Sequence, residues 1–209
     1  MFTKAISTET KTALALLGKS NLLKNAYLAG GTALALQLGH RLSFDLDFFT
    51  STEFNSLETA TKLQKTTGLK IQETKAGTII GTIQNIKFSL FFYPYKLISP
   101  SQKFLTINVA DIKDIAAMKI SAISSRGVKR DFIDLYFICR KIRLENILEL
   151  YNKKYGKLAG NRIHILKSLV YFQDAEEEPM PKMLKQCRWE EVKNFFEQEV
   201  KKLTDKFIQ

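Results

Sequence analysis

The pattern of hydrophobic and polar positions divides this chain into a mixed first region and a helical second region. In the first region, apolar residues recur at helical spacing over Ser7–Leu23, Thr32–Leu38 and Glu53–Lys65. Short runs rich in β-branched and aromatic residues lie between and after these helices and predict strands. The predicted strands cover residues 26–29, 44–49, 69–74, 78–84, 86–93 and 104–109.

From residue 110 onward the pattern is helical, interrupted by a loop that contains the acidic run Glu176–Glu178 and two prolines. The sequence therefore predicts an α+β fold. Residues 1–109 would form a small mixed β-sheet core flanked by helices, and residues 110–209 a C-terminal helical domain. The predicted helices of the second region are Asp111–Arg126, Lys129–Ile142, Leu144–Tyr155, Asn161–Tyr171 and Trp189–Phe207.

Composition limits the class of protein. The chain has 209 residues, of which 45% are hydrophobic, so it can bury a core and is not a disordered protein. No segment has the length of a transmembrane helix and no signal peptide is visible, which predicts a cytoplasmic protein without membrane contact. Cys139 and Cys187 are isolated, which favours reduced intracellular thiols, and two histidines are too few for a zinc cluster.

The formal net charge of +11 favours polyanionic ligands: nucleoside triphosphates, RNA or an acidic partner protein. Solvated surface lysines without a specific role are the alternative, and composition does not choose between the two. Within the helical region, one group of basic residues could form an RNA-facing surface. Its members are Lys153, Lys154, Lys157, Arg162 and Lys167.

The stretch LAGGTALALQLGHRLSFDLDFFT, residues 28–50, carries the chemistry on which the remaining predictions depend. Side chains alternate between the two faces of a strand, so Asp45 and Asp47 point the same way, while Phe44, Leu46 and Phe48 point into the core. Two neighbouring carboxylates repel each other unless a cation lies between them. Oxygen ligands of this kind suit Mg²⁺, or Mn²⁺ in its place, with water and phosphate completing the coordination.

The glycine pair Gly30–Gly31 lies where a strand meets a helix. Small residues at this position let a phosphate approach the backbone N–H groups of the helix N-terminus, and the Thr32 hydroxyl adds a further donor. One site would then hold triphosphate oxygens at one end and a metal ion at the other. This combination is typical of metal-assisted nucleotidyl transfer. Arg41 and Ser43, just before the acidic pair, are candidates for phosphate contact or for fixing the loop.

A Gly-Gly turn, a helix and then Asp-x-Asp on the next strand resemble the signature of the DNA polymerase β-like nucleotidyltransferase superfamily. Within it, GGTALALQLGHRLSFDLDFF and the later block DIAAMKISAISSRGVKRDFIDLYFI resemble the two conserved blocks of the AbiEii/AbiGii toxin family. The resemblance implies a toxin of a toxin–antitoxin or abortive-infection pair, with a cognate antitoxin as partner. It also implies transfer of a nucleoside monophosphate from a triphosphate to an acceptor hydroxyl on RNA, such as a tRNA 3′ end, or on a protein.

Four of the charged residues in the second block have two interpretations each. Lys119 lies in an apolar run, and the resemblance implies a cation aimed at triphosphate oxygens; the alternative is a lysine whose stem covers the core. Arg126 lies two helical turns later, near the same face. Asp131 and Asp134 share a helix face and either hold these cations in an ion-pair network or serve as base or metal-water ligand.

The strand IKFSLFFYPY departs from the superfamily pattern. Enzymes of the superfamily usually carry a third carboxylate on a strand beside the Asp-x-Asp, and Ser89 occupies that position here. Because serine is a poor substitute for a carboxylate ligand, a degenerate nucleotide- or RNA-binding module without turnover stays open as an alternative. Independently of Ser89, a second enzyme alternative is a nucleotidyltransferase of the antibiotic-modifying sort that acts on small molecules.

Overall fold

The computed structural model describes residues 1–156 and 162–208. The chain forms two compact units, Met1–Asp111 and Ile112–Gln209. The first unit contains a mixed β-sheet with helices and the second is helical, which confirms the predicted α+β fold.

In the described residues, the first unit builds a sheet of seven strands in the order β3-β4-β5-β2-β1-β7-β6. The strand β2 pairs in parallel with β5 and antiparallel with β1, while β3, β4 and β5 form an antiparallel meander beside it, as predicted. The strands are β1 Tyr27–Leu28, β2 Leu46–Thr50, β3 Lys70–Lys75, β4 Thr78–Ile83, β5 Ile86–Phe92, β6 Gln102–Phe104 and β7 Ile107–Val109.

Three α-helices flank this sheet: α1 Thr8–Ser20, α2 Gly30–Leu38 and α3 Ser56–Thr67. Polar side chains cap two of them. The Ser7 side chain accepts the Thr10 N–H at the start of α1, and Asn55 accepts the Glu58 N–H at the start of α3. The helix α2 begins two residues earlier than its hydrophobic pattern indicates, so both residues of the glycine pair lie in its first turn.

Two predictions about the first unit are wrong. Phe44 is 42% exposed and does not point into the core, because β2 begins only at Leu46. The single strand predicted at residues 104–109 is a hairpin of β6 and β7, and the turn residues Leu105 and Thr106 both have positive φ, at 48° and 66°. Glycine or asparagine usually marks such a turn, and neither is present here.

The second unit consists of α4 Ile112–Arg126, α5 Lys129–Cys139, α6 Leu144–Tyr155, α7 Arg162–Ser168, α8 Gln173–Glu176 and α9 Trp189–Ile208. The helix α5 ends three residues before the predicted Ile142, and α8 lies in a segment predicted as loop. The predicted helix start at Asn161 falls outside the described residues. At the centre of the unit the fully buried ring of Phe132 contacts three aromatic rings, those of Phe172, Trp189 and Phe196. Across the part of the chain that the structure describes, every helix falls short of the length or apolarity needed to cross a membrane.

Candidate active site

The acidic pair lies at the beginning of the central strand β2. Asp47 is its second residue, and Asp45 directly precedes it. Both acids are partly exposed, whereas Leu46 and Phe48 between and after them are fully buried. This alternation follows the two-residue period of an extended chain, and it leaves both acids partly accessible.

Ser89 lies directly beside Asp47 in the register of the parallel strands β2 and β5. Its hydroxyl donates a hydrogen bond to Oδ1 of Asp47 at 2.6 Å, and the serine itself is only 2% exposed. The position at which the superfamily resemblance implies a third acid therefore holds a buried donor. A hydrogen bond of this kind fixes the orientation of the Asp47 carboxylate without adding negative charge.

Gly30 brings the backbone of α2 against the other oxygen of Asp47. Its φ is +67°, and a Cβ built on it would lie 3.2 Å from Asp47 Oδ2. The residue before the helix, Ala29, provides no side-chain cap, and its own N–H donates to the Asp47 carbonyl at 3.0 Å. The N-terminal amides of α2 are thus a place where an anion can bind next to Asp47.

The next residue, Gly31, leaves room for Arg41. A Cβ on Gly31 would lie 2.4 Å from Nη2 of Arg41 and 3.1 Å from Oγ of Ser43. The arginine is 5% exposed, and its Nη1 donates to the carbonyl of Leu42 at 3.0 Å. Arg41 is therefore a buried cation packed against the first turn of α2, where it strengthens the positive potential at the helix N-terminus.

Thr32 and Ser43 hold the loop in front of the acidic pair. The Thr32 hydroxyl lies 2.9 Å from Ser43 Oγ and 2.5 Å from the carbonyl oxygen of Asp45. Thr32 and Ser43 are both buried. In this arrangement the Thr32 hydroxyl contacts the loop, and phosphate contact by Thr32 stays a prediction. The first unit thus brings together seven of the predicted site residues, which are Gly30, Gly31, Thr32, Arg41, Ser43, Asp45 and Asp47.

The donor set of this unit fits a divalent cation that also binds phosphate. Mg²⁺ keeps several waters and takes one or two protein carboxylates together with substrate phosphates, which is what Asp45 and Asp47 beside the start of α2 provide. Gly30 keeps the space next to Asp47 Oδ2 open, because a Cβ there would enter it. Among the described residues, His, Cys, Asp and Glu side chains form no cluster of three or more that could hold a metal without such outside ligands.

In the second unit, Lys119, Arg126, Asp131 and Asp134 form one network in which Arg126 is exposed and the other three are buried. The ammonium group of Lys119 on α4 lies 2.7 Å from Asp131 Oδ1 and 2.6 Å from Asp134 Oδ2, both on α5. Arg126 contacts the other oxygen of Asp131 at 2.9 Å through both Nε and Nη2. The two cations and two anions balance each other, so the ion-pair interpretation of this block describes its geometry.

Burial on its own would raise the pKa of Asp131. The charges of Lys119 and Arg126, and the hydrogen bonds that they donate, outweigh burial and hold the pKa of this carboxyl below its usual value. Asp131 therefore stays ionised and keeps both cations oriented. The two cations differ in accessibility, since the side chain of Lys119 is 7% exposed and that of Arg126 is 57% exposed.

The acidic loop after α8 holds the N-terminus of α5. Oε2 of Glu178 accepts the backbone N–H of Lys129, the first residue of α5, at 2.9 Å. The Lys129 ammonium donates to the carbonyl oxygens of Glu176 and Glu178, while the Glu176 carboxylate accepts from Lys193 and Trp189. These contacts hold the first turn of α5 in place, two residues before Asp131. In the sequence, the acidic run Glu176–Glu178 is the feature that could have indicated contacts with a basic residue.

Lys154 does not belong to an RNA-facing surface, so this part of the sequence-based prediction is wrong. Its ammonium lies 2.7 Å from Asp114 Oδ1, and both side chains are fully buried between α4 and α6. Lys153, Arg162 and Lys167 are exposed, as that prediction requires. Lys157 lies outside the described residues.

A hollow of about 630 Å³ in the first unit does not contain the acidic pair. It is lined by residues around the β3–β4 turn, including Gly77 and Lys75, and by Phe92 at the end of β5. Phe92 pairs with Thr50, three register positions beyond the Asp47–Ser89 pair. The acidic pair at the start of β2 therefore lies outside this hollow.

Known proteins resemble this chain in sequence and in fold. The chain matches the family described as nucleotidyl transferase AbiEii toxin, type IV toxin–antitoxin system, over residues 12–103 and 80–207. It is 39% identical to the protein aq_aa25 of Aquifex aeolicus (strain VF5) over 204 residues, which are 95% of this chain and 97% of that protein.

Two solved structures support the fold. JHP933 from Helicobacter pylori matches with a TM-score of 0.54 and 16% identity over 96% of each chain. MenT4, a nucleotidyltransferase toxin from Mycobacterium tuberculosis H37Rv, matches with a TM-score of 0.54 and 17% identity over 93% of this chain and 86% of that one. With the family match covering nearly its whole length, this chain belongs to the AbiEii nucleotidyltransferase toxin family.

Proposed function

We propose that this chain is a Mg²⁺-dependent nucleotidyltransferase that moves a nucleoside monophosphate from a triphosphate to an acceptor hydroxyl. The acceptor is RNA, such as a tRNA 3′ end, or a protein. The observation that carries this proposal is the placement of Asp47 Oδ2 against Gly30, at the uncapped start of α2. A phosphate bound to the α2 amides would be adjacent to a carboxylate pair able to share its cation.

Asp45 and Asp47 would hold the Mg²⁺ or Mn²⁺ ion, and Ser89 would keep the Asp47 carboxylate in the orientation that binds it. When bound, such a cation neutralises phosphate charge and polarises the phosphoryl oxygens. The backbone amides of Gly30 and Gly31 would receive the triphosphate oxygens, with Arg41 behind them adding positive potential. In the transfer, the acceptor oxygen bonds to the α-phosphorus, the bond to pyrophosphate breaks, and the acceptor proton passes to water.

Lys119, Arg126, Asp131 and Asp134 would serve the same reaction. The ionised Asp131 orients Arg126, and the largely exposed Arg126 side chain is the group of the network that can contact phosphate directly. Lys119 binds both carboxylates, so it positions Asp131 and Asp134 and offers its charge to an anion that enters the network. Loss of any of the four would then reduce transfer.

Membership of a type IV toxin family supports two further parts of the proposal. The chain acts as the toxin of a toxin–antitoxin or abortive-infection pair, and an antitoxin counteracts it. Its place of action is the cytoplasm, where nucleoside triphosphates and tRNA are present.

One observation favours a second candidate, a nucleotide- or RNA-binding module without turnover. Ser89 gives the strand β5 a neutral donor beside Asp47, so this unit offers two carboxylates where the superfamily pattern has three. A protein of this kind would bind a triphosphate with Mg²⁺ and transfer nothing.

One experiment separates the candidates. The protein is incubated with Mg²⁺, each α-labelled nucleoside triphosphate in turn, and total tRNA, cell protein or small hydroxylated antibiotics as acceptors. We expect label on tRNA or protein, its loss with Asp47→Asn, and an unchanged fold of that variant by circular dichroism. Triphosphate binding without label on any acceptor supports the binding module. An Asp47→Asn variant with full transfer activity would exclude the proposed metal site.

A further inference from the structure

A second hollow lies entirely within the helical unit and has a volume of about 330 Å³. One wall is the last turn of α4, from Ile123 to Arg126, together with Gly127. The other wall comes from α7 and the residues after it. That wall contributes His164, Lys167 and Ser168 from one face of α7, and Tyr171 from beyond the end of the helix.

The composition of this hollow matches the chemistry that binds single-stranded nucleic acid. Two cations, Arg126 and Lys167, lie in its lining, and the side chain of each is exposed. Tyr171 is 52% exposed, and its hydroxyl donates to Oε1 of Gln173 at 2.8 Å, which restrains the ring. Exposed aromatic rings next to basic side chains provide stacking for a base and neutralisation for a phosphate.

A polar atom without a partner lies in the same lining. The hydroxyl oxygen of Ser124 is buried, and within residues 1–156 and 162–208 it has no hydrogen-bond partner. A buried hydroxyl without a partner is costly. The chain covers this atom, so a base in the hollow lies beside Ser124 and bonds to its hydroxyl only if this turn moves on binding.

Charge fixes the orientation of such a ligand. The last turn of α4 presents backbone carbonyls and the negative end of the helix dipole, and Asp174 adds a carboxylate to the lining. The carbonyl groups at the end of α4 and the Asp174 carboxylate repel phosphate and attract the amino groups of a base, whereas the cationic side chains attract phosphate. The phosphates are therefore assigned to Arg126 and Lys167, and the base to the space between Ser124 and Tyr171.

We propose that this hollow binds one unpaired nucleotide of the RNA acceptor. The inference rests on the proposed function and names RNA, not protein, as the acceptor class. Its volume lies at the low end of small-ligand sites, which suits one nucleotide of a single strand and excludes a duplex. The hollow also shares Arg126 with the Lys119–Asp131 network, so the bound strand contacts a residue that Asp131 orients.

The test compares binding of a fluorescently labelled single-stranded oligoribonucleotide of about ten nucleotides to the full-length chain and four variants. Lys167→Ala removes the phosphate contact, Tyr171→Ala removes the ring, and Tyr171→Phe keeps the ring. Lys201→Ala is the matched control, because Lys201 is an exposed lysine on α9 that does not line the hollow. Binding of Mg²⁺ with a nucleoside triphosphate is measured on every variant in parallel.

Tyr171→Ala is expected to weaken RNA binding about tenfold with an unchanged salt dependence, since stacking carries no charge. Lys167→Ala is expected to weaken it about threefold or more and to reduce the slope of log K against log salt by about 0.7, the value for one phosphate contact on a single strand. Tyr171→Phe and Lys201→Ala should bind as the unchanged chain does, and triphosphate binding should stay constant throughout.

Two results overturn the inference. One is equal RNA binding by Lys167→Ala, Tyr171→Ala and the Lys201→Ala control. The other is a parallel loss of triphosphate binding in the two hollow variants, which would assign the hollow to the triphosphate. Neither result depends on turnover, so failure of the inference is distinguishable from failure of the proposed transfer reaction.

Discussion

The hydroxyl of Ser89 donates a hydrogen bond of 2.6 Å to Oδ1 of Asp47, across the parallel strands β5 and β2. This contact places a neutral, buried donor where the superfamily resemblance implies a third acid. It leaves Asp47 Oδ2 beside Gly30 and the first turn of α2. The acidic pair is thus oriented by the sheet on one side and by a helix N-terminus on the other.

Removing the Ser89 hydroxyl should weaken the metal site. Groups that orient metal-binding carboxylates typically contribute a factor of 10 to 100 in metal affinity or activity, so Ser89→Ala should lower the apparent Mg²⁺ affinity about tenfold. The measurement is triphosphate binding as a function of Mg²⁺ concentration. Thr61→Ala is the control, because that hydroxyl bonds only to a carbonyl of the exposed face of α3. Equal Mg²⁺ dependence of Ser89→Ala and the unchanged chain would show that Ser89 does not support the site.

Gly30 and Gly68 form a matched pair for testing the approach of α2 to Asp47. Both have positive φ, at 67° and 72°, but a Cβ on Gly68 meets nothing within 4 Å, whereas one on Gly30 meets Asp47. Alanine at either position should cost about 1–2 kcal/mol of unfolding free energy through the left-handed backbone. Only Gly30→Ala should also weaken binding of Mg²⁺ with a triphosphate. Urea unfolding and calorimetric titration give the two quantities, and equal binding by both variants would argue against a site at Gly30.

The acid sensitivity of the helical unit should depend on Asp131. Its pKa is lower in the folded chain than the ordinary 3.8, so the unfolded chain binds more protons at acid pH. The stability from this group is complete above about pH 3.8 and declines as the pH falls below it toward the folded pKa. Asp131→Asn should lower the unfolding free energy at neutral pH by about 3 kcal/mol, because Lys119 and Arg126 lose a buried partner.

Urea unfolding of Asp131→Asn between about pH 6 and pH 3 measures both effects. The variant should show a shallower decline of unfolding free energy at the acid end than the unchanged chain. Asp205→Asn, which changes an exposed carboxylate on α9, should keep the original decline. Parallel acid profiles for Asp131→Asn and the unchanged chain would contradict the assigned role of Asp131.

The buried pair of Lys154 and Asp114 should behave as a structural unit without a role in RNA binding. Both side chains are fully buried, so Lys154→Met alone removes the ammonium group beside the buried Asp114 carboxylate and should cost about 3–5 kcal/mol. Replacing both residues, as Asp114→Leu with Lys154→Met, should cost much less than the sum of the single changes. Denaturant unfolding measures the cycle. Additive costs, or a folded Lys154→Met variant with weakened RNA binding, would contradict this account.

The local part of the candidate site follows from sequence pattern. The two-residue period predicts one face for Asp45 and Asp47, and the predicted meander strand brings Ser89 beside Asp47. The same reasoning fails at Phe44, because the period does not say where a strand begins. It also fails at the β6–β7 turn, where Leu105 and Thr106 adopt positive φ without a glycine signal.

Long-range pairing is the part that sequence pattern does not determine. Helix spacing puts Lys119 near Arg126, and Asp131 near Asp134, but it leaves open whether the carboxylates hold the cations or act on a substrate. The distances resolve the pairing, and Lys119 contacts both acids. Lys154 is buried beside Asp114, which lies 40 residues earlier in the sequence. Because local pattern does not reveal so distant a partner, the charge of Lys154 alone predicted an exposed residue.

The most direct measurement is the binding of Mn²⁺, as a paramagnetic substitute for Mg²⁺, to the chain in the presence of a non-hydrolysable nucleoside triphosphate. The account predicts that the unchanged chain immobilises Mn²⁺ together with the triphosphate, and that Asp45→Asn and Asp47→Asn each lose this complex while keeping their circular dichroism spectra. Retention of the complex by both variants would contradict the claim that these two acids share a cation with a triphosphate.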